Sequence, residues 1–199
     1  MKNVAEQETP ARRQRGCLVL VVGPSGAGKD SILDGAKAKL TGDDRFLFVR
    51  REITRPAEAG GEDHLPVTWD RFRARAVDGS YALAWEAHGH GYGVPASDLR
   101  GLEQGRSAIV NVSRGVLASA RTRFASVRIV HVTVPERVLA QRLSGRGRED
   151  TDQIAGRLER AAAFQVEGGD VLTLVNDGPL AQSVASFVAI LRALPGSSG

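Results

Sequence analysis

The sequence predicts an α/β domain in three layers, a central and mostly parallel sheet of about five strands between two layers of helices. Three observations predict it. Short β-branched runs alternate with longer helical stretches along most of the chain. The first of these runs ends in a glycine-rich loop that opens a helix. The 199 residues are 42% hydrophobic and 25% charged, enough apolar material for the core of one domain.

Residues 1–15 (MKNVAEQETPARRQR) mix both charges without an apolar segment, and read as a flexible polar tail rather than a signal peptide. A single domain over residues 16–195 is expected to follow. Cys17–Val22 (CLVLVV) reads as a buried strand, Lys29–Leu40 as a helix and Phe46–Arg50 (FLFVR) as a second strand. Ser107–Val112, Val127–Val134 and Val171–Val175 supply three more strands. Helices are predicted at Ser113–Arg123, Pro135–Ser144, Thr151–Glu167 and Pro179–Ala193. Strands separated by helices make βαβ units, whose sheets place ligands at the carboxyl ends of the strands.

Two segments break the rhythm. Residues 51–102 hold Gly60-Gly61, a short helix at Thr68–Val77, an aromatic stretch at Ser80–Ala87 and three spaced glycines. This piece reads as an insertion over the sheet edge that binds an acceptor, leaving residues 16–50 and 103–195 as the core. Residues 144–150 (SGRGRED) set glycines among charges between two helices and read as a mobile lid.

Composition narrows the function. A net charge of +4 suits a polyanionic ligand, or simply a solvated basic surface. No interleaved basic and aromatic motif marks a nucleic-acid partner. The apolar run Cys17–Val22 is too short to span a membrane. One cysteine, Cys17, excludes an intramolecular disulfide and points to a reducing, cytoplasmic setting.

The strongest chemical signal is Gly23–Ser31, GPSGAGKDS, a phosphate-binding P-loop placed between strand and helix. Gly23, Pro24, Ser25, Gly26, Ala27 and Gly28 let the backbone wrap phosphate oxygens. Backbone N–H groups, the helix N-terminus and Lys29 counter the charge of ATP. The residue after the lysine departs from the pattern. A serine or threonine hydroxyl for Mg²⁺ is usual, but here Asp30 stands there, with Ser31 next. A carboxylate is a hard oxygen ligand for Mg²⁺, and an acid in the first turn also caps a helix, so two readings stand. P-loop proteins often carry a metal-binding aspartate at a neighbouring strand end, where this chain has the neutral Asn111. The carboxylate is therefore expected to have moved from the strand end to Asp30.

Phosphoryl transfer works by positioning and cationic clamping. Arg142, Arg146 and Arg148, flanked by Arg137 and Arg157, offer a clamp around the lid, although each alone also suits a solvated face.

At this point the chain resembles a family. GPSGAGKDS, REITRP (Arg51–Pro56), GGEDH (Gly60–His64), LAWEAHGHGYGVP (Leu83–Pro95), QRLSGRGRED (Gln141–Asp150) and VNDG (Val175–Gly178) look like the guanylate-kinase superfamily. GKDS with GGEDH resembles more closely its ribose 1,5-bisphosphate phosphokinase branch, of PhnN type, from phosphonate utilisation. The resemblance covers about residues 16–193. It implies a guanylate-kinase-like acceptor lobe, ATP and Mg²⁺ as cofactors, and ribose 1,5-bisphosphate as a small phosphorylated acceptor. The acceptor's 1-phosphate is already ionised, so no general base is required. By the same resemblance Arg55 and Tyr92 contact acceptor phosphate, Arg51 and Arg114 add charge for a second phosphate, and Asn176 lies near the adenine, the alternative being that VNDG is simply a strand-ending turn. His64, where guanylate kinases have tyrosine, is either a phosphate or hydroxyl donor or a structural residue, and His88 and His90 are weaker candidates. Guanine-reading acids are missing: Ala84 precedes Trp85, and Ser113 follows the third strand. Such a loss weakens purine discrimination. A nucleoside monophosphate kinase and a non-catalytic guanylate-kinase-like module remain as alternatives; the intact Lys29 and lid arginines speak against the latter.

Overall fold

The structure is a computed structural model, and it describes residues 16–57, 62–144, 156, 158–159, 161 and 164–194. Its core is a five-stranded sheet built from β1 (Leu18–Val22), β2 (Phe46–Phe48), β7 (Ser107–Asn111), β8 (Val127–Thr133) and β9 (Val171–Val175). The spatial order is β2-β7-β1-β8-β9, and every neighbouring pair is parallel. Parallel sheets need both faces covered, which explains the unbroken apolar run of β1. Val19 and Val21 enter one apolar cluster, with Ile32 and Ala36 of α1 (Lys29–Lys39) and Val184, Phe187 and Leu191 of the C-terminal helix. Leu18, Leu20 and Val22 enter the other. All five β1 side chains are fully buried, and each such aliphatic burial contributes roughly 1.5–3 kcal/mol.

The second cluster joins the sheet to the inserted segment. Beside Leu18 and Leu20 it contains Leu83, Val94 and Leu99. The insertion carries its own four-stranded sheet, in the order β4-β3-β6-β5. These strands are β3 (Glu52–Ile53), β4 (Leu65–Pro66), β5 (Tyr81–Ala87) and β6 (His90–Pro95), backed by α2 (Trp69–Val77). The β5–β6 turn places His88 at φ 52° and Gly89 at φ 75°, so the tip bends through two left-handed residues. A 3₁₀ segment, Ala96–Gln104, returns the chain to the core, where Gly16 N–H donates to the Leu102 carbonyl at 2.8 Å.

Several boundaries differ from the sequence reading. The second strand stops at Phe48 rather than Arg50. The helix expected from Ser113 begins as a 3₁₀ turn, Arg114–Val116, before α3 (Leu117–Arg123). Ser113 is its cap, accepting from Gly115 N–H at 3.3 Å. After α4 (Glu136–Ser144), residues 156, 158–159 and 161 are helical, and the chain has left the helix by Phe164, short of the expected Glu167. The C-terminal helix α5 is Leu180–Arg192. Among the described residues no helix is long and apolar enough to cross a membrane. Cys17 is buried, and burial pushes its thiol up, away from reactivity. The expected tail (1–15) and lid loop (145–150) lie outside the described residues, and so do Arg146, Arg148 and Arg157.

Candidate active site

The phosphate loop leaves the carboxyl end of β1 at the middle of the sheet. Gly28 precedes α1 at φ 85°, a conformation open to glycine. A Cβ there would stand 2.6 Å from Nδ2 of Asn176 and 3.9 Å from Nη1 of Arg142. Arg142, on α4, thus brings its guanidinium to the loop. The Lys29 ammonium donates to the carbonyls of Gly23 (2.8 Å) and Pro24 (3.0 Å), tying the loop's entrance to the first turn of α1. Burial pushes Lys29 below the ordinary lysine range, and the neighbouring Asp30 carboxylate pulls it back up.

Asn176 follows β9 and is only 3% exposed. Its Nδ2 donates to the Ala27 carbonyl at 2.7 Å, and its Oδ1 accepts from the Ser183 hydroxyl at 2.8 Å. The amide therefore braces the loop against β9 and α5. The sequence reading places it near the adenine; in the structure each of its two polar atoms also has a protein partner.

Asp30 is exposed beside the loop, and its Oδ1 accepts from Asn111 Nδ2 at 2.7 Å. The two residues singled out as exchanged partners are thus in direct contact, loop to strand end. Among the described residues no three His, Cys, Asp or Glu side chains gather into a metal cage. One carboxylate with the Ser31 hydroxyl nearby in sequence suits Mg²⁺, which retains water and substrate phosphate ligands rather than a full protein shell.

An open cleft runs from Asp30 and Asn111 past Phe48 to Arg51, Glu62 and Asp63. Arg51 is 8% exposed and lies over the rings of Tyr92 (5.2 Å) and Trp85 (5.7 Å), which stack on each other. Burial pulls its guanidinium down to about 10, against the field of Asp30, so it remains a cation at neutral pH. Arg51 Nη2 donates to Glu62 Oε2. Arg55 Nη2 stands 3.7 Å from Glu62 Oε1, beyond hydrogen-bond reach, and its Nε and Nη2 are buried without a hydrogen-bond partner. Those two atoms form one edge of the guanidinium, shaped for two oxygens of a phosphate or carboxylate.

His64 is buried, with Nδ1 3.0 Å from the Glu62 carbonyl and Nε2 3.0 Å from the Arg55 carbonyl. It fastens the segment of Arg55 to that of Glu62, a structural role of the kind the sequence left open beside a donor role. His90 likewise turns Nδ1 to the Thr54 carbonyl at 3.1 Å, and His88 is exposed at the hairpin tip. His131 is buried in β8 beside Phe164, where burial lowers its pKa. Arg114 also meets Phe164, its guanidinium carbon 4.9 Å from that ring's centroid.

Sequence reasoning missed three partners. Glu52, buried in β3, accepts from Tyr81 (2.5 Å) and Arg75 (2.5 Å) and pins α2 and β5 together. An acid inside a predicted lobe strand was the available signal. Ser183 has no such signal, since it reads as a polar residue on a helix. Glu62 was visible within GGEDH, without an assigned partner.

The sequence profile described as guanylate kinase matches residues 15–186. A ribose 1,5-bisphosphate phosphokinase PhnN of Brucella melitensis biotype 2 is 45% identical over 174 residues, covering 87% of this chain and 91% of that protein. The chain belongs to the guanylate kinase family, in its ribose 1,5-bisphosphate phosphokinase branch. A bifunctional ribose 1,5-bisphosphokinase-thymidine phosphorylase of Azorhizobium caulinodans is 44% identical over 178 residues; the match spans 89% of this chain and 26% of that longer protein. The fold agrees with the crystal structure of guanylate kinase from Anaplasma phagocytophilum, at TM-score 0.64 and 19% identity, covering 91% of this chain and 87% of that one.

Proposed function

We propose that the chain moves the γ-phosphoryl group of ATP onto the 1-phosphate of ribose 1,5-bisphosphate, giving ADP and 5-phospho-α-D-ribosyl 1-diphosphate. The observation that carries the reading is a cleft that joins Asp30 of the phosphate loop to Arg51 at the base of the inserted lobe, within a branch whose relatives bear this activity in their names. An oxygen of the 1-phosphate attacks the γ-phosphorus, the bond to the β-bridging oxygen breaks, and ADP leaves. The attacking phosphate is an anion already, so no side chain has to take a proton. That agrees with His64, whose two ring nitrogens face backbone carbonyls.

Gly23–Gly28 and Lys29 hold the β- and γ-phosphates of ATP, and Arg142 adds charge from the α4 side, with Arg146 and Arg148 proposed to complete the clamp. Asp30, with Ser31 beside it, would hold Mg²⁺, and the chemistry the ion would supply there is neutralisation of phosphate charge. Asn111 orients the Asp30 carboxylate. On the acceptor side, Arg51, Arg55 and Tyr92 bind a phosphate, while Arg114 is the residue offered to the second. Asn176 serves the nucleotide by holding the loop. Two positions speak against a nucleobase acceptor: Ala84 is exposed on β5 without a polar group, and the Ser113 hydroxyl caps the following turn. The direct test is phosphorus NMR of the product. A new diphosphate on C1 of the ribose, formed with ADP, is expected; a product phosphorylated on a ribose hydroxyl would overturn the assignment of the acceptor atom.

A further inference from the structure

Glu62 sets one carboxylate against two guanidiniums. Its Oε2 accepts from Arg51, its Oε1 faces Arg55 at 3.7 Å, and its side chain is only 18% exposed. Arg51 has further support from Tyr92 and Trp85. Arg55 does not: among the described residues its Nε and Nη2 are buried and unpaired, and its ion-pair neighbour is Glu62. Buried guanidinium donors without partners are costly, so this arrangement is poised for an acceptor with more oxygens than a carboxylate carries.

We propose that Glu62 is an exchangeable counter-ion: it occupies the place of the acceptor phosphate between Arg51 and Arg55, and gives it up when that phosphate arrives. The inference rests on the reading above that these arginines bind acceptor phosphate. Like charges repel, and Arg55, itself half-buried, does act on the buried Arg51 in that sense. A carboxylate between them keeps both side chains in place in the free enzyme. A dianionic phosphate, with three free oxygens, satisfies the Arg55 edge that Glu62 leaves unpaired and also bonds Arg51. A singly charged or two-oxygen anion gains little by the exchange. Glu62 is thus a positioning and specificity residue: it raises the threshold for occupancy, so that full phosphates displace it and weaker anions do not.

The test measures binding of inorganic phosphate and ribose 5-phosphate by titration calorimetry, with the loop saturated by ADP and Mg²⁺ so that only the acceptor side reports. Wild type, Glu62→Gln, Glu62→Asp and Arg55→Ala are compared, with melting curves to confirm folding. Glu62→Gln is expected to bind phosphate about tenfold tighter, on the scale of one charge-assisted hydrogen bond no longer competed for. Acetate binding rises with it, and KM for ribose 1,5-bisphosphate falls without a gain in kcat. Glu62→Asp, whose shorter side chain reaches Arg55 less well, shifts affinity in the same direction by a smaller factor and keeps the test open should Glu62→Gln fail to fold. Unchanged or weaker phosphate binding in both folded variants, with binding still lost in Arg55→Ala, overturns the exchange and makes Glu62 a fixed part of the wall. Phosphate binding that survives Arg55→Ala overturns the acceptor reading itself, and this proposal with it.

Discussion

Replacing Asn176 by alanine separates a brace from a base contact. The amide is 3% exposed and holds two partners, the Ala27 carbonyl at 2.7 Å and the Ser183 hydroxyl at 2.8 Å. Alanine removes both bonds and leaves both partners in the interior. Each lost bond costs about 1 kcal/mol, and a buried group left unpaired adds up to about 1–3 kcal/mol. Ser183 can turn its hydroxyl to a carbonyl in the preceding helical turn, so the Ala27 carbonyl carries most of the penalty. A total near 2–4 kcal/mol follows, equivalent to a fall in Tm of about 5–15 °C for a domain of this size. Urea unfolding with and without ATP is the assay. The KM for ATP should rise while the KM for the acceptor stays, because Ala27 lies in the phosphate loop. Ser183→Ala removes one bond only and should cost less than half as much, and the double variant should be clearly non-additive. Loss of under 0.5 kcal/mol, together with an altered preference between ATP and GTP, would refute the brace and return Asn176 to the adenine (the threshold follows ordinary surface substitutions, about ±0.5 kcal/mol).

Four further outcomes are expected. Asp30→Ser should lower Mg²⁺-dependent turnover, Asn111→Asp should partly restore it, and the pair should show a coupling of about 0.5–3 kcal/mol in a double-mutant cycle of kcat/KM. Independence of the two changes would refute the shift of the carboxylate. Lys29→Ala should cut kcat about 10²–10³-fold, as removal of one preorganised donor does elsewhere. Tyr81→Phe should destabilise the lobe by about 1.5–3 kcal/mol, the range for a bond to a charged group, read as faster amide exchange in β5 and β6 before the core sheet. Arg121 holds the Asp170 carboxyl below the usual carboxylate range through a side-chain hydrogen bond. A depressed folded pKa means stability that is present above about 3.8, the unfolded value, and lost as pH falls below it. Asp170→Asn should flatten that acid limb of the melting curve.

The central sheet was legible because each of its strands is a buried β-branched run of five or more residues, or sits beside one, and because GPSGAGKDS marks where strand turns to helix. The lobe sheet was not. Two of its strands, Glu52–Ile53 and Leu65–Pro66, are two residues long, too short for any alternation to register, and they hold together only through β6 and each other. In the site, the P-loop motif pointed to Lys29 and Asp30 and the family resemblance to Arg51 and Arg55, and these residues lie in or beside the cleft or loop. Spacing says nothing about which partner a polar atom takes in three dimensions. Asn176 belongs to the loop it braces, 149 residues away in sequence. His64 and Glu62 are two residues apart, yet one ties backbone carbonyls together and the other faces two arginines. Asp30 and Asn111 were paired in advance only because a change at one strand end asks for a compensating change at the loop, and in the structure the two side chains touch at 2.7 Å.

The central claim is the identity of the acceptor. Initial rates of ADP release with ATP and Mg²⁺, measured side by side for ribose 1,5-bisphosphate, ribose 5-phosphate and GMP, with Lys29→Ala as the control, test it most directly. Turnover with ribose 1,5-bisphosphate is expected, with none above the Lys29→Ala background with GMP, and with formation of the 1-diphosphate. Turnover of GMP with ribose 1,5-bisphosphate inert would contradict it, leaving the fold and the ATP site in place and the acceptor lobe misassigned.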